Sequence, residues 1–131
     1  MIFHHIGKPV SLEILKNRKD VKYSSLFDMY SLDMQNDLGI PIELHAFGKN
    51  CSLHERIQKE VHVAFKVNDI ETALHNKEVL MPLYQPFAGY RCAMITLNDQ
   101  LIELIETSLS EKEIWGDGIF KDSILYPGSS R

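Results

Sequence analysis

The chain has 131 residues, 44% apolar and 24% charged, which suits one compact domain or two small fused repeats with a sizeable core. Its formal net charge of −4 argues against broad nucleic-acid binding, which needs a basic face to displace counterions, yet leaves room for a small anionic ligand held locally. No basic segment followed by an apolar run opens the sequence, and no run approaches the roughly 20 apolar residues of a membrane span, so a cytoplasmic protein without membrane contact is expected.

In chain order, residues 2–10 read as a strand that ends near Pro9, because proline donates nothing to a ladder. Residues 11–17 predict a brief helix with Ser11 as N-cap and Leu12, Ile14 and Leu15 as its apolar side. Residues 21–34 mix aromatic, β-branched and polar side chains and predict one or two strands. Asn36-Asp37-Leu38-Gly39 predicts a turn, and residues 40–47 a strand that tolerates Pro41 near its start or at an edge. Residues 48–60 read as a loop with a helical turn around 53–58.

The second half is more regular. Residues 61–67 alternate strictly, with Val61, Val63, Phe65 and Val67 facing one way and His62, Ala64 and Lys66 the other. Asn68 or Asp69 caps a helix that carries Ile70, Ala73 and Leu74 at helical spacing. A short strand over 78–83, a turn over Pro86-Phe87-Ala88-Gly89, a strand over 90–97, a turn at Asn98-Asp99 and a strand over 101–106 complete a β-α-β-β-β order. The tail, 107–131, carries Trp115, Phe120 and Tyr126 among Gly, Asp and Ser, and reads as a strap for a groove or for a partner subunit. Two cysteines are too few for a disulfide framework; Cys92 sits among apolar neighbours as a core residue, and Cys51 lies in a polar loop.

The halves resemble each other. His5-Ile6-Gly7 opens the first and Ile42-Glu43-Leu44 closes it; His62-Val63-Ala64 opens the second and Ile102-Glu103-Leu104 closes it. The histidines lie 57 positions apart and the glutamates 60, as expected of a tandem duplication with one small loop change. Side chains alternate across a strand, so His62 opposes Val61, Val63 and Phe65, Glu43 opposes Ile42, Leu44 and Ala46, and Glu103 opposes Ile102 and Leu104. With helices on the apolar faces, these polar residues line the other, concave face beside Phe47, Leu101 and Ile105. Carboxylates there cost several kcal/mol unless paired. One divalent cation held by His5, Glu43, His62 and Glu103 removes that cost: two carboxylates balance its charge, and neutral imidazoles complete the set. Imidazole and carboxylate suit Zn²⁺, Ni²⁺, Mn²⁺, Fe²⁺ and Co²⁺ alike.

At Phe3-His4-His5-Ile6-Gly7, at residues 62–70 and at Gln100-Leu101-Ile102-Glu103-Leu104-Ile105-Glu106, the chain resembles the vicinal oxygen chelate superfamily, whose members are glyoxalase I-like, bleomycin-resistance-like or dioxygenase-like. The resemblance covers roughly residues 2–106. It implies an α+β fold of two βαβββ units, about 2–48 and 61–106, curled into a U-shaped half-barrel in a single 1–106 domain. It also implies metal ligands at His5, Glu43, His62 and Glu103, a set more like glyoxalase I than the family's dioxygenases. The implied activity is that of a metal-dependent lyase or isomerase acting on a small oxygenated substrate, with Glu43 or Glu103 as catalytic base. The alternative is a metal-free cup that sequesters a small molecule, as bleomycin-resistance-like relatives do. Relatives often dimerise, so a homodimer is compatible with the sequence.

Other residues weigh less. Strand alternation turns His4 away from His5, toward a structural or surface role. His45 shares the face of Glu43 and could support it or touch substrate. Tyr30, Tyr84, Tyr90 and Arg91 read as core or rim, and Lys16, Arg18, Lys19 and Lys22 as a solvated cluster. His54-Glu55 is no zincin motif, because Gln58 stands where its second histidine must be.

Overall fold

The computed structural model describes residues 1–115 and 122–126. Its first half runs β1 (Ile2–Pro9), α1 (Leu12–Leu15), β2 (Lys22–Ser24), β3 (Met29–Met34) and β4 (Ile42–Phe47). After a linking helix α2 (Glu55–Lys59), the second half runs β5 (His62–Lys66), α3 (Ile70–Ala73), β6 (Glu78–Phe87), β7 (Tyr90–Leu97) and β8 (Gln100–Thr107). Another helix, α4 (Glu111–Trp115), follows. No described helix is long and apolar enough to cross a membrane.

The strands form one sheet in the order β2-β3-β4-β1-β5-β8-β7-β6. β1 and β5 pair antiparallel at its centre, and each is flanked by the closing strand of its own half, β4 and β8, in parallel. The two halves therefore repeat one arrangement about the β1–β5 seam. A flat sheet of eight strands would hold its edges roughly 34 Å apart. Here Phe27, between β2 and β3 at one edge, meets Tyr84 of β6 at the other, with ring centroids 5.7 Å apart. The sheet must curl into a half-barrel to bring them together.

Each half covers its convex face with a short helix. Leu15 of α1 packs on Leu32, Leu44 and Ala46, and Ile70 of α3 packs on Ala93, Ile95, Ile102 and Leu104. Asp69 caps α3, its carboxylate accepting from the Thr72 N–H at 3.2 Å. Ser11 stands at the N-cap of α1 in extended conformation, without a side-chain bond. Arg91 reaches from β7 to Glu106 of β8 and Glu71 of α3, so it fastens the convex side rather than the cup.

Two segments depart from the sequence reading for physical reasons, and the tail follows one of its two readings, the strap on a groove. β6 continues through Pro86 and Phe87, which strand rules assign to a turn; it is an edge strand, where missing ladder donors cost little, and three register shifts absorb the prolines. The turn itself is Ala88-Gly89, with Gly89 at φ +82°. The tail forms α4 and then lays Leu125 and Tyr126 against the concave core, with Ile124 N–H donating to Pro86 C=O at 2.9 Å. Phe120 lies outside the described residues. The second departure, at His4, shapes the site.

Candidate metal centre

Strand register builds this site. Across the central seam Gly7 faces His62 and His5 faces Ala64; on the outer sides Gly7 faces Glu43 and Ala64 faces Glu103. In each half a small residue two positions after the histidine makes room for the other half's imidazole. At Gly7 the fit is close: a Cβ there would stand 2.0 Å from Cε1 and 2.2 Å from Nε2 of His62.

His5 and His62 are buried, and both approach the same carboxylate oxygen. Glu103 Oε1 is 3.3 Å from His5 Nε2 and 3.4 Å from His62 Nε2. Neither Nε2 makes a hydrogen bond, so both are buried donors or acceptors without a partner of proper geometry. One ligand atom from each of the three side chains lies within 4.8 Å of the others. Ligand atoms about 2.1 Å from a common tetrahedral ion stand about 3.4 Å apart, so the observed spacing and the orphaned nitrogens fit a divalent metal. Burial raises the Glu103 carboxyl, but His5 and His62 outweigh it and hold the group far below its ordinary range. Burial lowers His5, and Glu103 outweighs that in turn, raising it.

Glu43 stands apart from this cluster among the described residues. Its carboxylate oxygen lies 3.2 Å from His45 Nε2, and His45 Nδ1 shares a 2.9 Å hydrogen bond with the buried Ser31 hydroxyl. Burial raises the Glu43 carboxyl, but His45 offsets this and holds it at about 2. Directly opposite on β3 is Asp33, whose carboxyl is pushed up to about 7 by burial and by the Glu43 charge beside it. Asp33 lines the same cavity; the sequence does not single it out, because residues 21–34 carry no clear register.

His4 corrects the alternation argument. Phe3 pairs with Phe65 and His5 with Ala64, so His4 is the extra residue of a β-bulge. It is buried rather than turned to the surface, its Nδ1 2.8 Å from Nδ1 of His5 and its ring stacked on Trp115 at 5.4 Å. Burial, then the neighbouring His5, lowers its imidazole below the ordinary value.

The cup encloses a cavity of about 110 Å³. Phe27, Phe47, Met81, Tyr84 and Trp115 supply apolar wall, while His5, Glu43, His62 and Glu103 bring polar atoms to it. Tyr90 and Cys92 also line it, and burial pushes the Cys92 thiol well above its ordinary value. Lys22, from the basic cluster, reaches the lining and lies 5.6 Å from the Tyr126 ring centroid.

No family model matches the chain, and no curated protein does. Among solved structures it is similar to a glyoxalase/bleomycin resistance protein/dioxygenase superfamily member from Vibrio splendidus 12B01, at 15% identity over 79% of this chain and 98% of that one, with a TM-score of 0.46. By its own strand order, pairing and curl, the chain has the α+β glyoxalase/bleomycin resistance/dioxygenase fold.

Proposed function

We propose that the protein is a divalent-metal-dependent enzyme of the glyoxalase I-like lyase or isomerase kind, which removes a proton from carbon beside a carbonyl of a small oxygenated substrate. The observation that carries this reading is the convergence of two orphaned imidazole nitrogens on one carboxylate oxygen in a cavity. His5, His62 and Glu103 would hold the ion, whose identity among Zn²⁺, Ni²⁺, Mn²⁺, Fe²⁺ and Co²⁺ the donor set leaves open. When bound, such an ion supplies a Lewis acid that polarises substrate oxygens.

The remaining work falls to the chain's own groups. Glu43 is the proton acceptor of this proposal: it lines the cavity beside Asp33 and is steadied by His45, which Ser31 orients in turn. Asp33 beside it offers a second carboxyl with which an accepted proton can be shared. Phe27, Phe47 and Tyr84 bind carbon skeleton and exclude water.

The test needs no product assay. Simple 2-oxoaldehydes, 2-hydroxyketones and 2-oxoacids are incubated in D₂O with protein and each divalent ion, and NMR follows deuterium entry at carbon. Metal-dependent exchange is expected, reduced about 100-fold or more in Glu43→Gln, the range for loss of one general base. Exchange equal in Glu43→Gln and unaltered protein would remove Glu43 from this role.

A second reading has its own observation. Because Glu43 is held by His45, the clustered set is two His and one Glu, the donor set of non-haem iron oxygenases. Oxygen uptake with Fe²⁺ and no carbon-bound exchange would favour it.

A further inference from the structure

Behind His5 a chain of contacts leads out of the cavity to the tail. Nδ1 of His5 and Nδ1 of His4 are 2.8 Å apart, a distance that requires one proton between them. The other nitrogen of His4, Nε2, is buried without a hydrogen bond of proper geometry, and Oε1 of Glu111 lies 2.8 Å from it. Glu111 belongs to α4, where the same oxygen accepts from Trp115 Nε1 at 3.0 Å and Lys66 lies 3.7 Å from the other oxygen. Trp115 stacks on His4 and meets His5 edge-on at 5.4 Å.

The two ring protons have two neutral arrangements. In one, His5 carries its proton on Nδ1 and donates to His4, His4 carries its own on Nε2 facing Glu111, and the His5 Nε2 lone pair is free toward Glu103 and His62. In the other, His4 donates to His5, and His5 presents an Nε2–H that cannot bind a metal. Glu103, 3.3 Å from His5 Nε2, favours the second as long as no cation stands between them. The carboxylate of Glu111, 2.8 Å from His4 Nε2, favours the first, because it attracts the His4 Nε2–H and repels a lone pair there. A cation held by His5 Nε2 and Glu103 would remove the opposing pull.

We propose that His4 and Glu111 are positioning residues that fix the tautomer of His5 as a ligand, so that α4 of the tail is part of the metal centre. The proposal rests on the metal reading above. It gives the β-bulge at His4 a use: without the extra residue, alternation would carry the His4 ring to the opposite face of the sheet. The apolar half of the contact, Trp115 on His4, holds the ring in the plane from which Nδ1 reaches His5.

Zn²⁺ binding by isothermal titration, with imidazole ¹⁵N–¹H NMR, tests this on four proteins: unaltered, His4→Phe, His4→Gln and Glu111→Gln. His4→Phe keeps a ring against Trp115 but removes the acceptor, and is expected to weaken Zn²⁺ about 10–100-fold, the usual effect of losing such a partner. His4→Gln, whose amide oxygen can accept from His5, recovers part of that loss. Glu111 is 55% exposed, so Glu111→Gln leaves the core untouched and is expected to weaken binding by a smaller factor. A slowly exchanging Nδ1–H resonance that belongs to the His5 ring is expected in unaltered protein and is lost in His4→Phe; the same resonance on the His4 ring of metal-loaded protein would overturn the proposal. Equal Zn²⁺ affinity in unaltered protein, His4→Phe and Glu111→Gln would overturn the relay. No Zn²⁺ uptake by unaltered protein would overturn the metal reading beneath it, a result distinct from equal uptake by all four.

Discussion

Glu103→Gln is expected to keep the fold and lose divalent-metal binding by about 100-fold or more, beyond the 10–100-fold that a supporting partner costs. Glu103 is the only carboxylate among the three clustered donors, and both orphaned imidazoles point at one of its oxygens. Glutamine preserves the side-chain volume beside Met94 and Ala64 in the ladders, so packing is conserved. Charge is not conserved: the amide offers a weak carbonyl donor and no negative charge to balance the ion. Titration with Zn²⁺ or Co²⁺, read with a thermal melt, separates the two effects. Unchanged binding would mean that Glu103 is a structural acceptor for two histidines.

Gly7→Ala is expected to damage both the site and the fold. The added Cβ would stand 2.0 Å from one atom of the His62 ring and 2.2 Å from another, far inside van der Waals contact. The imidazole is rigid and buried at the central seam, so it must swing out of the cluster or push β1 from β5. Overpacking of this kind costs about 1–3 kcal/mol, and metal binding should fall with it because His62 no longer faces Glu103. Gly39→Ala is the control, since a Cβ added there meets nothing within 4 Å and only the φ of +68° is strained. A Gly7→Ala protein with full stability and metal uptake would contradict the packing argument.

Much of this arrangement is legible in the sequence because it is written twice. The His-x-small opening and the Ile-Glu-Leu closing of each half carry the strand faces, and the faces carry the cup. Simple alternation places His5, His62 and Glu103 correctly on the concave side, opposite the clusters under α1 and α3. It fails at His4, because a bulge depends on how β1 meets β5 and leaves no local mark. It also makes Glu43 the equivalent of Glu103, whereas the carboxylate partner differs: Glu43 has His45 two residues on, and Glu103 has Ile105 at the matching place. At that place Glu43 meets His45 of its own strand at 3.2 Å. The contacts of Asp33 with Glu43 and of α4 with His4 are unreadable in the sequence because they cross between separate elements.

Metal content decides the central claim. Tag-free protein and its His62→Ala variant, purified in parallel and loaded with each divalent ion in turn, are compared by elemental analysis. About one tightly held ion per chain is expected in the unaltered protein, and loss of that ion in His62→Ala. No ion in either, under any loading, would contradict the metal centre and leave the aromatic-lined cup as a metal-free binder of small apolar molecules.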